Sequence, residues 1–271
     1  MDDIAPNYDA VVFDQWGVLH DGSTPYGGSI TALSRLKKAG HRLAVLSNSG
    51  KRAKPNAALI ADIGFPAGLF ETVMTSGEAL WLDISAGRIA CRRFFPVERA
   101  AGDAAVWAEA LDVSLVSELR EADAVLLMGL PDDAAPSDWT SVLEAACRRG
   151  LPLYCSNPDR ASPRPGGLVH SPGALAFAYL EMGGEVSFYG KPHRPVFDAL
   201  QGSLGAGRLL MVGDSLEHDV AGAEDAGWDS LLIQGGLHAR ELSGGNVDEA
   251  LERLAVESGC QPPTYRMGSL Q

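Results

Sequence analysis

The chain has 271 residues, 46% of them hydrophobic and 21% charged, with a net charge of −13. That balance is ordinary for a globular protein, and the length suits one large domain or two moderate ones. The acidic excess argues against nucleic-acid partners, whose phosphates want Lys and Arg, yet leaves room for a small phosphorylated ligand beside a local cation.

The opening MDDIAPN is acidic and has no apolar segment, so no secretory leader is expected. No run approaches the roughly 18 apolar residues of a membrane span, so we expect a cytoplasmic protein with no membrane partner. Cys91, Cys147, Cys155 and Cys260 make no CxxC pair, so zinc and dithiol chemistry are not expected.

In chain order, short apolar runs alternate with amphipathic ones. Residues 9–16 read as a buried strand, 27–40 as a helix closed by Gly40, 41–49 as a strand, 54–64 as a helix and 70–76 as a short strand. The pattern resumes with a strand over 122–130, a helix over 137–150, a strand over 151–157 and a helix over 171–184. After SFYGKP come a helix over 195–200, a strand over 208–214, a helix over 217–226, a strand over 229–236 and a helix over 246–257. The stretch 158–167 is dense in Pro and Gly and reads as a loop, and the tail from Cys260 as irregular. The alternation predicts an α/β protein with a doubly wound, Rossmann-like parallel sheet, whose ligands bind at the carboxyl ends of the strands.

Those strand ends carry polar residues. The first strand ends in Asp14, the second in Ser47–Asn48, and the strand LLMVGD in Asp214, with Asp219 shortly after; Lys191 precedes a helix in GKP. Each alone has a plain structural use as a turn residue, cap or surface charge. Gathered on one sheet edge they become a site. Clustered carboxylates repel unless a cation lies between them, oxygen ligands suit Mg²⁺, and hydroxyl, amide and ammonium donors suit phosphate.

The order Asp…Ser…Lys…Asp, in VVFDQWGVL, LAVLSNSGK, YGKPHRPVF and MVGDSLEHDV, resembles the haloacid dehalogenase-like phosphohydrolases. CSNPDR and the GKPH continuation look like subclass IIA, whose members hydrolyse sugar phosphates, nucleotides and p-nitrophenyl phosphate under a large α/β cap. The resemblance implies a core of residues 1–79 and 185–271 with an inserted cap over 80–184, and possible homodimers through the cap. It implies Asp14 as the nucleophile forming an aspartyl-phosphate, with the Trp16 backbone carbonyl and Asp214 as Mg²⁺ ligands. Asp219 would act through water or from behind Asp214. Ser47 and the Asn48 N–H would hold the phosphoryl group, and Lys191 would neutralise charge between it and Asp14.

One position departs from the pattern. The family's first motif is DxDG, and here it is DQWG. The missing second aspartate normally protonates the leaving oxygen, and an indole N–H cannot shuttle protons near pH 7. Such help is worth about 10²–10⁴-fold, so alkyl phosphates should suffer most and acyl or aryl phosphates least. His20, Asp21, His193 and His218 are candidate substitutes, each with a plainer loop, turn or cap reading. Trp16 itself either fills space or walls the substrate pocket, while Asn157 and Asp159 read as a turn or as substrate contacts. The competing expectation is a regulatory protein that binds a phospholigand without turnover.

Overall fold

The computed structural model describes residues 1–164 and 167–270. It divides into two compact units. The first comprises residues 1–47, 54–74 and 191–271, and the second 48–53 and 75–190.

The first unit begins with β1 (Ala10–Phe13), four residues that are all buried. They feed α1 (Ser29–Lys38), which buries Ala32, Leu33 and Leu36 on one face. Gly40, at φ +91°, ends that helix, its N–H donating to the Lys37 carbonyl while His41 reaches back to Leu36. Next come β2 (Leu43–Ser47), α2 (Ala53–Ile63) and β3 (Thr72–Thr75), after which α3 (Ser76–Ser85) lies in the second unit.

The second unit continues with β4 (Arg93–Val97), α4 (Asp103–Trp107), β5 (Ser114–Leu115), β6 (Ala124–Leu127), α5 (Thr140–Arg148) and β7 (Leu153–Cys155). A hairpin of β8 (Ala161–Arg164) and β9 (Gly167–His170) follows, then α6 (Pro172–Glu181) and β10 (Val186–Phe188). Its five-stranded sheet runs β10-β7-β6-β4-β5 with parallel pairing throughout. Leu127, Leu153, Leu143, Leu175 and Tyr179 form its core.

The chain closes the first unit with α7 (Arg194–Leu204), β11 (Leu209–Gly213), a π-helical turn over Leu216–Val220, α8 (Ala221–Ala226), β12 (Asp229–Ile233), α9 (Val247–Glu257) and β13 (Tyr265–Met267). This sheet runs β13-β12-β11-β1-β2-β3. Val11, Phe13, Val45, Val212 and Leu231 pack on one of its faces with Leu33 and Leu36. Leu232 packs with Leu216, Val220, Leu251 and Leu254 in a separate cluster. From β1 the chain crosses first to β2 and later returns to β11 on the other side, so β1 lies at the switch point where such sheets leave a crevice.

The α/β class and parallel sheets match the expectation, and three segments differ from it. The tail is ordered at Tyr265–Met267, where β13 pairs in parallel with β12 and Tyr265 and Met267 pack on the apolar cluster. Three residues are too few to show alternation in sequence. The segment expected as a loop is largely the β8–β9 hairpin; residues 165 and 166 of it lie outside the described residues, as does Gln271 of the tail. The helix expected from residue 217 starts as a π turn.

Candidate active site

Parallel register brings the expected strand ends together. Phe13 pairs with Val212 and with Val45, so Asp14, Asp214 and Ser47 leave three adjacent strands at one edge. The Asp14 N–H continues the ladder to the Val212 carbonyl at 2.9 Å. Asp14, Asp214 and Asp219 then offer carboxylate oxygens that all lie within 4.8 Å of one another.

Lys191 lies among these acids, only 3% exposed. Its Nζ donates to Asp14 Oδ1 at 2.6 Å and to Asp219 Oδ1 at 2.7 Å. Asp219 turns its other oxygen to the backbone, where Oδ2 accepts from the Asp214 N–H at 3.2 Å and the Ser215 N–H at 3.1 Å. One carboxylate thus fixes both the lysine and the chain around Asp214. The π turn that carries Asp219 is capped by Ser215, whose Oγ accepts from the His218 N–H.

Glycines admit these carboxylates. A Cβ on Gly17, whose φ is +76°, would lie 1.7 Å from Asp214 Oδ2. A Cβ on Gly236 would lie 2.3 Å from the Asp214 Cβ, and one on Gly213 2.2 Å from the Asp219 Cγ. The N–H of Leu237 donates to Asp214 Oδ2 at 2.8 Å. The loop after β12 therefore belongs to the site, which sequence reasoning missed. The only hint was a Gly-Gly pair ending an apolar strand.

The electrostatics follow from burial and crowding. Burial pushes the Asp14 carboxyl up to about 6 against the pull of Lys191, and Asp219 adds to the rise. Burial, then the Asp14 and Asp219 charges, pushes Asp214 up to about 7. Burial pulls the Lys191 pKa down, but Asp14 and Asp219 outweigh it and hold the ammonium well above its ordinary value. Three carboxylates face one ammonium, so the cluster keeps an excess of negative charge that a divalent cation would relieve.

The remaining candidates separate clearly. Ser47 is buried at the end of β2. Asn48 follows it and belongs to the second unit, where its Nδ2 donates to Asp159 Oδ1 at 2.8 Å. Asp159 in turn donates its N–H to Asn157 Oδ1, so CSNPDR is a side-chain-braced turn. Asp21 is also a turn residue, its Oδ1 accepting from the Ser23 and Thr24 N–H groups. His20 is buried, its Nδ1 accepts from the Gly22 N–H, and its Nε2 meets no partner. Burial lowers its pKa. His193 sits at the N-cap position of α7 without capping it, and His218 lies in the π turn. Trp16 is 46% exposed and leans edge-on to His20 at 6.0 Å.

Residues 11–92 match a family model described as haloacid dehalogenase-like hydrolase, and residues 188–256 match one described as HAD-hydrolase-like. A crystal structure of a haloacid dehalogenase-like family hydrolase from Brucella suis is 32% identical, with a TM-score of 0.82 over 100% of this chain and 98% of that one. The chain belongs to the haloacid dehalogenase-like hydrolase family. Within that family its relatives fall in subclass IIA. The D-glycerol 3-phosphate phosphatase of Mycobacterium tuberculosis is 27% identical over 88% of this chain. The match spans 66% of that relative's length, just short of two thirds. The structure of a glycerol phosphate phosphatase from the same organism, in complex with magnesium, is 26% identical, with a TM-score of 0.76 over 98% of this chain and 77% of that one.

Proposed function

We propose that this haloacid dehalogenase-like protein is a Mg²⁺-dependent phosphatase of small phosphorylated metabolites that works through an aspartyl-phosphate. The observation that carries the reading is the buried Lys191 clamped between Asp14 and Asp219, with Asp214 in the same oxygen cluster. The cluster fits a hard divalent ion: its donors are carboxylate oxygens, and it has more negative charge than Lys191 neutralises. Asp14, Asp214 and the Trp16 carbonyl would hold the ion, with Asp219 behind them. When bound, the ion neutralises charge between carboxylates and phosphoryl oxygens.

This chain's own groups do the rest. An Asp14 oxygen attacks phosphorus, the ester P–O bond breaks, and its electron pair leaves on the alcohol oxygen, which takes a proton from water. Water then adds to the phosphorus of the aspartyl-phosphate, releasing inorganic phosphate and restoring the Asp14 carboxylate. Lys191 holds Asp14 and offsets charge on the transferring group, while the Ser47 hydroxyl and Asn48 N–H donate to its oxygens. We assign residues 80–184 as the family's inserted cap.

The test is phosphate release with Mg²⁺ from acetyl phosphate, p-nitrophenyl phosphate and glycerol phosphate. Turnover of at least one, lost by more than about 10³-fold in Asp14→Asn, is expected. An Asp14→Asn variant as active as the parent would sink the mechanism. Absent turnover with metal-dependent phosphate binding would make the chain a phospholigand sensor.

A further inference from the structure

Exposed apolar side chains crowd the segments that touch the metal-site carboxylates. Trp16 precedes Gly17, whose backbone lies against Asp214. Tyr26, 41% exposed, has its hydroxyl facing the Gly17 N–H. Leu237, 64% exposed, gives its N–H to Asp214 Oδ2. In the first unit's described residues the other large apolar side chains left exposed are Leu59 on α2 and Val256 on α9. Three of five therefore come from segments that hold or adjoin one carboxylate.

The indole is also braced. A Cβ on Gly22, whose φ is +98°, would lie 2.3 Å from Trp16 Cη2, so the turn's backbone is against the six-membered ring. The His20 ring stands edge-on to the indole, and the Gly22 N–H locks that imidazole through Nδ1. Asp21 fixes the same turn by accepting from Ser23 and Thr24. The backbone that carries Tyr26 is pinned too: its N–H donates to the Leu19 carbonyl, and its carbonyl accepts from Ser29 Oγ at 2.8 Å. A large apolar surface held still loses little entropy on binding a flat ligand.

We propose that Trp16, Tyr26 and Leu237 form an apolar rim that selects phosphate monoesters with an aromatic leaving group, so that this site prefers aryl phosphates to the glycerol phosphate named for its Mycobacterium tuberculosis relatives. The inference rests on the phosphatase reading above and adds to it the substrate class. Binding and chemistry point the same way. The rim offers stacking and dispersion contact to a ring, where a glycerol group would want hydrogen-bond partners. A phenolate also leaves with the ester electron pair without needing a proton first, and position 16 carries no acid to supply one. The P–O bond to the aryl oxygen breaks, the Asp14–phosphorus bond forms, and the freed phenolate is protonated by solvent.

Two measurements test this and separate it from the parent reading. The first is calorimetric binding, with Mg²⁺, of phenylphosphonate against methylphosphonate, neither of which has an ester bond to break. Phenylphosphonate should bind at least tenfold more tightly. Trp16→Ala should erase most of that advantage, Trp16→Phe should keep it, and Tyr26→Ala and Leu237→Ser should each reduce it. The second is the ratio of kcat/KM for phenyl phosphate over glycerol phosphate, expected above 100 in the parent and at least tenfold lower in Trp16→Ala. Equal phosphonate affinities, or a kcat/KM ratio unchanged in folded Trp16→Ala, overturn the rim. Phenyl-selective binding without turnover of any ester leaves the rim standing and removes the phosphatase reading. Turnover with a flat ratio does the reverse.

Discussion

At the scale of single residues, the site depends on what its neighbours lack as much as on what they carry. Gly17 combines a left-handed backbone with near-contact to Asp214, so Gly17→Ala meets strain and collision together. We expect it to cost about 1–3 kcal/mol in stability, read by denaturant titration, and to weaken magnesium binding in calorimetry. Lys191 is the opposite case. Lys191→Met leaves Asp14 and Asp219 facing each other without their shared cation, and losing one partner of a buried ion cluster typically costs about 3–5 kcal/mol. Added magnesium should recover part of that loss; melting curves with and without the ion check this. Asp14 and Asp214 were legible because residue type and strand-end position coincide, and Lys191 because it stands in GKP just before a helix. Gly236 and Leu237 were not, since a glycine's need for space and a backbone N–H leave no chemical mark in a sequence.

At the scale of elements, a short irregular turn controls the second half of the site. Ser215 caps the π turn through Oγ, and that turn delivers Asp219 to Lys191 and to two backbone N–H groups. Ser215→Ala should therefore cost about 1 kcal/mol by denaturant titration and slow phosphate release, while Ser215→Thr retains both. The main strands and helices of the first unit could be read in advance because their apolar runs are long and glycine closes the helices. The π turn could not, because one residue inserted into a helical turn leaves the 3.6-residue pattern almost intact over so short a span. The strand β13 escaped for a related reason: three residues after a Pro-Pro pair show no period, and only pairing with β12 makes them a strand.

For the molecule as a whole, net charge and metal are linked. The chain carries a net charge of −13, and Asp14, Asp214 and Asp219 bring three of its carboxylates within 4.8 Å of one another at the β1 switch point. A chelator should lower the melting temperature, and magnesium at a hundredfold excess over its dissociation constant should add about 2.7 kcal/mol to unfolding. A melting temperature indifferent to both would mean that no divalent ion binds there. Fold class was the most legible property, since alternation of buried strand and amphipathic helix is a whole-chain signal. Among the described residues, no helix is long and apolar enough to cross a membrane. The second unit's β4, α4 and β5 were hardest to read, being short and, in β4, mixed in exposure.

Asp14, Lys191, Asp214 and Asp219 all belong to the first compact unit, together with Trp16, Tyr26 and Leu237. Exchanging the intervening stretch would leave these side chains in place and would touch the proposed phosphoryl-holding set only beside Asn48, which belongs to the second unit. On the proposed reading, a chimera carrying a foreign insert would keep both Asp14 as nucleophile and the selectivity for departing groups, because the residues proposed for the two lie in the same unit.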